Sequence, residues 1–280
     1  MNIIILSASG LALLSYTTAF FLLWRRLSLR IRTAEKSGQT IEPGAALSAA
    51  LGIALIGFLS HLVASTESLI QQAPSPTLTL TFIGVSSLVS CVIVAVSIAS
   101  ALRVRADNLL LLSLPLAAFT VLALALLPPG KTQPISLGTN QITHILLSIS
   151  AYAALMTAAL QSLLIGVQER RLRAPQSGLL GLLPPMDSME ELFITMLWLG
   201  VGLLTLSIVT GMLFLQNMFD QRLVHHTVLT SLSWLIYAGF LTGHHLFGWR
   251  GVTGVRWNLA AFILLLLGYW GSKFVLEYLL

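Results

Sequence analysis

Apolar runs of about 20 residues recur along the whole chain, near 3–24, 44–64, 78–101, 108–128, 142–166, 192–215, 226–246 and 258–279. Each can cross a ~30 Å hydrocarbon layer as a helix, which satisfies its own backbone groups where water is absent. Regular strand alternation is lacking, which excludes a β-barrel. The loops between the runs are short, and no soluble domain is inserted. Charged residues make up only 9% of the chain and hydrophobic ones 56%, against roughly 25% charged in a soluble domain. The sequence therefore predicts one integral-membrane domain over 1–280. Its fold class is an all-α polytopic membrane helical bundle of about eight transmembrane helices.

Basic residues orient such a bundle. Arg25, Arg26, Arg30, Arg32 and Lys36 follow the first run, Arg103 and Arg105 the third, Arg170, Arg171 and Arg173 the fifth, and Arg250 and Arg256 the seventh. Of 15 Lys and Arg, these 12 lie on one side, while Lys131 and Arg222 lie in opposite loops and Lys273 in the last run. Both termini are expected outside. The first run has no basic residues before it and no small-x-small cleavage site, so it reads as a retained helix rather than a signal peptide. The net charge of +5 is explained by these inner loops. With no basic patch interleaved with aromatics, no nucleic-acid partner is expected.

Cys91 is the lone cysteine and lies within the third run, so there is no disulfide framework, no C-x-x-C pair and no C-x-x-C-H haem-attachment motif. Asp187 or Ser188, followed by Glu190 and Glu191, reads as a helix start. Gly200, Gly202 and Gly211, with Ser207 and Thr210, suit close packing of the sixth helix in lipid. Lys273 and Glu277, four apart, suit an ion pair on one helix face. Pro115 marks a kink that a membrane helix tolerates.

The 6 histidines fall into two groups by depth. At 1.5 Å rise per residue His61 lies roughly 25 Å along the outward-running second helix, in the outer quarter of the membrane. His144 opens the fifth helix and His225 and His226 the seventh, at the same outer face. His244 and His245 lie roughly 30 Å away at the inner face, beside Trp249 and Arg250, so one ligand cannot be held from both ends. Imidazole ligates metals and haem iron. Two imidazoles on facing helices can hold a flat macrocycle between spans, with a basic residue such as Arg222 at its propionates. Zinc would more usually add Cys or carboxylate ligands, so haem is the expected cofactor. His225 and His226 differ by about 100° on a helix, so one of the two should point at a shared site.

The segments HILLSISAYAAL (144–155), LFITMLWLGVGLLTLSIVTG (192–211) and HHTVLTSLSWLIYAGFLTGHH followed by GWRG resemble the cytochrome c assembly superfamily of haem-handling membrane proteins. The resemblance spans residues 39–280 or so, is strongest over 142–280, and is closest to the YpjD-type or HemX-like branch. It implies a helical bundle presenting haem at the outer face of a bacterial inner membrane. His144 matches the outer histidine that precedes a Tyr-containing helix in haem-handling members. The family's Trp-rich loop should precede the seventh helix, where this chain reads QNMFDQRLVHHT, without tryptophan. The outer histidine near the end of the last helix is also missing, since the chain there reads GSKFVLEYLL.

The expectation is a haem-binding, non-enzymatic membrane protein related to cytochrome c biogenesis. Its expected cofactor is b-type haem, with His144 as one axial ligand of the iron and His225 or His226 as the other. His61 is expected either to support a ligand from behind or to serve as an alternate ligand, and Arg222 to lie near a propionate. Lipid, haem and proteins of cytochrome c maturation or tetrapyrrole synthesis are the expected partners. The departures just described favour an alternative, a regulatory or scaffolding protein that kept the fold without haem delivery. A small-solute transporter should show broken spans with midplane charges, and the sequence has no midplane carboxylate.

Overall fold

The computed structural model describes residues 3–37, 45–71, 77–104, 108–128, 130, 135–136, 139–173, 185–214 and 224–279. Helices run over Ile3–Ser37 (α1), Ala45–Leu69 (α2), Phe82–Val104 (α3), Asn108–Leu126 (α4), Thr139–Arg173 (α5), Met186–Phe214 (α6), Val224–Phe247 (α7) and Val252–Leu266 (α8). After α8 the chain stays helical through a π-helical turn at Leu267–Gly271, a short α-helical piece (α9, Ser272–Phe274) and a second π-helical turn at Val275–Leu279. Seven stretches among the described residues are long and apolar enough to cross a membrane: six within α1 to α6, and Val252–Leu279.

The expected seventh run, α7, is less apolar because it carries four histidines. Its neighbours require it to cross nonetheless. Thr210 of α6 lies against His144 near the start of α5, and Gly251, just before α8, lies against Glu169 near the end of α5. A helix of 24 residues reaches about 36 Å, enough to join these two ends. The ends are called here the histidine end and the arginine end.

Two main cores organise the described helices, the first within α1 to α4 and the second among α3 and α5 to α8. The first core joins Ala12, Tyr16 and Ala19 of α1, Ala50 and Ala54 of α2, Val94, Ile98 and Ala101 of α3, and Leu110, Leu114 and Ala117 of α4. Its many alanines let helix backbones approach where lipid offers no hydrophobic drive. The second core joins α5, α6, α7 and α8 through larger side chains, among them Tyr152, Leu155, Phe193, Leu197, Tyr237, Phe240 and Phe262. α3 serves both: Val85, Val89 and Ile93 face the second core, and Val94 and Ile98 the first. α4 stays helical through Pro115.

At the histidine end three two-residue strands form an antiparallel sheet in the order β1 (Ile70–Gln71), β2 (Thr77–Leu78), β3 (Ile135–Ser136). Leu78 pairs with both Ile70 and Ile135. Nearby, both carboxylate oxygens of Glu277 accept the Phe82 amide at 2.9 Å. This caps the first turn of α3, whose early amides have no helical acceptor. The expected Lys273–Glu277 pair is present at 3.0 Å.

Candidate functional site

Close approach of α5 and α6 positions His144. A Cβ on Gly200 would lie 2.6 Å from Leu155, and one on Gly211 would lie 3.1 Å from the His144 ring, so the glycines at 200 and 211 admit the neighbouring helix. Gly202, expected to do the same, has open space beside it and is exposed. The His144 Nδ1 lies 3.0 Å from the Ser207 carbonyl oxygen and 3.2 Å from the Thr210 hydroxyl. A carbonyl only accepts, so Nδ1 carries the proton, and Nε2 of the neutral ring keeps its lone pair. Ser148 reinforces the junction, donating to the His144 carbonyl at 2.8 Å and meeting the Ser207 hydroxyl at 2.7 Å.

His226 comes from the first turn of α7 and lies within electrostatic range of His144. Its ring stands edge-on to Tyr269 with centroids 5.9 Å apart, and Nδ1 is 3.5 Å from the Thr230 hydroxyl. His225, one residue earlier, is exposed. The helical offset thus turns His226, and not His225, toward α5 and α8, although His225 was the residue expected to pair with His144 at the iron.

The π-helical turn at Leu267–Gly271 builds the wall of this site. Such turns are rare and concentrate at functional sites, because one wider turn re-aims the side chains on it. Here the turn presents Tyr269 and Trp270 to Tyr152 of α5, at centroid distances of 5.6 Å and 5.1 Å. Trp270 Nε1 donates to Ser86 Oγ at 2.6 Å, tying the wall to α3. Gly268 brings α7 close, since a Cβ there would be 3.3 Å from Leu229 Cβ. The Tyr152 hydroxyl is buried next to Thr230 yet completes no hydrogen bond of good geometry. An unsatisfied hydroxyl at this depth is costly.

His61 is the clearest departure from the sequence expectation. It is 0% exposed and packs among α1, α2 and α3. Its Nδ1 is 3.1 Å from the Tyr16 hydroxyl and its Nε2 is 2.8 Å from Ser87 Oγ, which also meets Ser65 Oγ at 2.8 Å. Both ring nitrogens are committed, so His61 as placed is no ligand. It packs on Tyr16 of α1 and Ser87 of α3, whereas His144 packs on Ser207 of α6. Arg222 lies outside the described residues. At the arginine end, His244 Nδ1 donates to the Trp249 carbonyl at 2.7 Å, closing the turn whose Gly248 and Gly251 have φ of 67° and 57°. Glu190, expected only to mark the start of α6, accepts the Gly251 amide at 2.9 Å. His245 is exposed.

The amino-acid sequence matches the family model described as cytochrome C assembly protein over residues 50–280. The chain belongs to the cytochrome c assembly protein family. It is 30% identical over 222 residues to the inner membrane protein YpjD of Escherichia coli K12, covering 79% of this chain and 84% of that one. It is also 30% identical over 190 residues to Protein HemX of Brevibacillus brevis, covering 65% and 69% of the two chains. No solved structure matches. The family match takes in every residue of the histidine cluster and all of α5 to α8. Tyr152, Tyr269 and Trp270 were not singled out from the sequence, although the tight spelling LGYWG at 267–271 was a visible signal. Among the described residues no three His, Cys, Asp or Glu converge as metal ligands. A pair of imidazoles walled by aromatics fits haem, which takes one or two axial ligands, better than zinc, which takes four.

Proposed function

We propose that this family member binds haem non-covalently at the histidine end of the bundle, at the outer face of a bacterial inner membrane. His144 and His226 would hold its iron. The observation that carries the reading is the bond from His144 Nδ1–H to the Ser207 carbonyl. It holds the ring orientation and leaves Nε2 as the lone-pair donor, as second-shell contacts do for ligating imidazoles. Tyr152, Tyr269 and Trp270 supply the apolar faces against which a macrocycle packs, and Thr230 the polar edge. Bound there, haem would supply a redox-active iron to be carried or sensed. The protein itself makes and breaks no bond, and proteins of cytochrome c maturation or tetrapyrrole synthesis are its partners. Its relative YpjD is named an inner membrane protein, which supports the location.

The test is an absorption spectrum of the full chain in mild detergent with excess haem. Wild type should give a bis-histidine Soret and α-band. His144→Ala and His226→Ala should each weaken haem retention by more than about 100-fold, beyond the 10–100-fold expected for losing a residue that only orients a ligand. A colourless wild type would overturn the reading in favour of a regulatory or scaffolding role.

A further inference from the structure

At the opposite end of the bundle, α5 and α8 part to leave a groove of about 550 Å³ lined by Gly166, Arg170, Val252, Thr253, Val255, Arg256 and Leu259. This is within the ~300–1,000 Å³ range of ligand sites. We propose that this groove holds the phosphate headgroup of an anionic membrane lipid.

Three features converge on that chemistry. First, Arg170 and Arg256 come from different helices and line the same groove, and among the described residues that line it none is acidic, Glu169 and Glu190 standing at Gly251 beside it. Two guanidiniums reaching one space suit the geminal oxygens of a phosphate, which they can engage in bidentate fashion. Second, the groove contains the first turn of α8. Val252 and Thr253 of that turn line the groove, and the positive dipole end of the helix is shared with the Glu190 carboxylate, which accepts the Gly251 amide at 2.9 Å. Third, the groove is graded in polarity. Arg170 ends the apolar stretch Asn140–Arg170 and Val252 begins the stretch Val252–Leu279, which sets the charges at the membrane boundary. Gly166 lies about 6 Å deeper along α5 than Arg170, and with Val255 and Leu259 it forms an apolar floor suited to the start of an acyl chain. Basic pockets between transmembrane helices on the positively charged side are suited to anionic headgroups. A Cβ at Gly166 would meet Val255 at an ordinary 3.6 Å, so a side chain can start there without displacing backbone.

The full chain in mild detergent is mixed with phosphatidylglycerol, phosphatidylcholine or inorganic phosphate, and retained lipid is counted by native mass spectrometry. Wild type should retain phosphatidylglycerol and not phosphatidylcholine, and inorganic phosphate should not displace it. The Arg170→Gln/Arg256→Gln pair should lower retention about tenfold or more. Gly166→Leu, which fills the floor and keeps both charges, should lower it as well, and unchanged helical circular dichroism establishes that the variants fold. Equal retention of phosphatidylglycerol by the arginine pair and wild type overturns the proposal. So does equal binding of phosphatidylcholine, or displacement by inorganic phosphate, which would mark a soluble phosphate as the occupant.

Discussion

In the amino-terminal unit His61 gives both ring nitrogens to neighbouring side chains, Tyr16 at 3.1 Å and Ser87 at 2.8 Å. In the carboxy-terminal unit His144 commits Nδ1 to Ser207 and Thr210, and His226 makes a long 3.5 Å approach to Thr230 and meets the Gly268 backbone. The surroundings differ in the same sense. Around His61 the polar atoms form a closed chain through Ser87 to Ser65 within an alanine-rich core. Around His226 the wall is aromatic, the backbone of the last helix widens into π-helical turns, and the Tyr152 hydroxyl lacks a good partner. A buried polar network that satisfies every member rigidifies a bundle, whereas one with vacant donors and acceptors is suited to something that binds. The expected depth in the membrane does not separate the two histidines. Their partners do.

Breaking the closed network should have the largest effect on stability and none on haem. His61→Ala leaves the Tyr16 hydroxyl and Ser87 without their partner, at a cost of about 3 kcal/mol. Cys91, the free cysteine buried on α3 of the same unit, reports this directly: a thiol-reactive dye should label His61→Ala at a lower temperature than wild type. Haem retention measured in parallel should be unchanged. A loss of haem in His61→Ala with Cys91 still protected would erase the distinction between the units.

Glu277→Gln tests the link between the units at a smaller scale. The carboxylate holds the Phe82 amide and Lys273 together, and the side chain is 1% exposed. Neutralising it should cost about 1.5 kcal/mol, read as an earlier thermal transition of the whole bundle. The smallest effect belongs to His225→Ala, which removes an exposed imidazole one residue from the site. Haem affinity and the spectrum should match wild type within about twofold, and a weakening comparable with His226→Ala would reverse the assignment of the inward-facing ring.

Much of the fold was legible from apolar run length, because a lipid bilayer imposes it. The eight expected runs each lie on a helix, and the differences fall at the ends. α6 begins at Met186 rather than near 192, since MDSMEE is polar yet helical. α1 and α5 extend to Ser37 and Arg173, carrying their arginines beyond the apolar stretch. The three short strands draw on two different loops, and pairing between loops leaves no local pattern. The site was only half legible. Rise per residue gives an expected depth for His61, His144 and His226 but not their direction, because helices apolar on most faces show no preferred inward side. The 100° offset between His225 and His226 required that one face away, and packing against Tyr269 selected His226. The π-helical turns left no residue signature beyond the glycines that flank Tyr269 and Trp270.

The most direct test of ligation by His226 is chemical rescue. His226→Gly removes the imidazole and leaves the α7 backbone, and the haem-loaded variant is titrated with free imidazole while its absorption spectrum is followed. If His226 ligates the iron, the variant loses the bis-histidine spectrum and imidazole restores it, while His61→Gly shows neither change. A His226→Gly protein with a wild-type spectrum before imidazole is added would contradict the assignment.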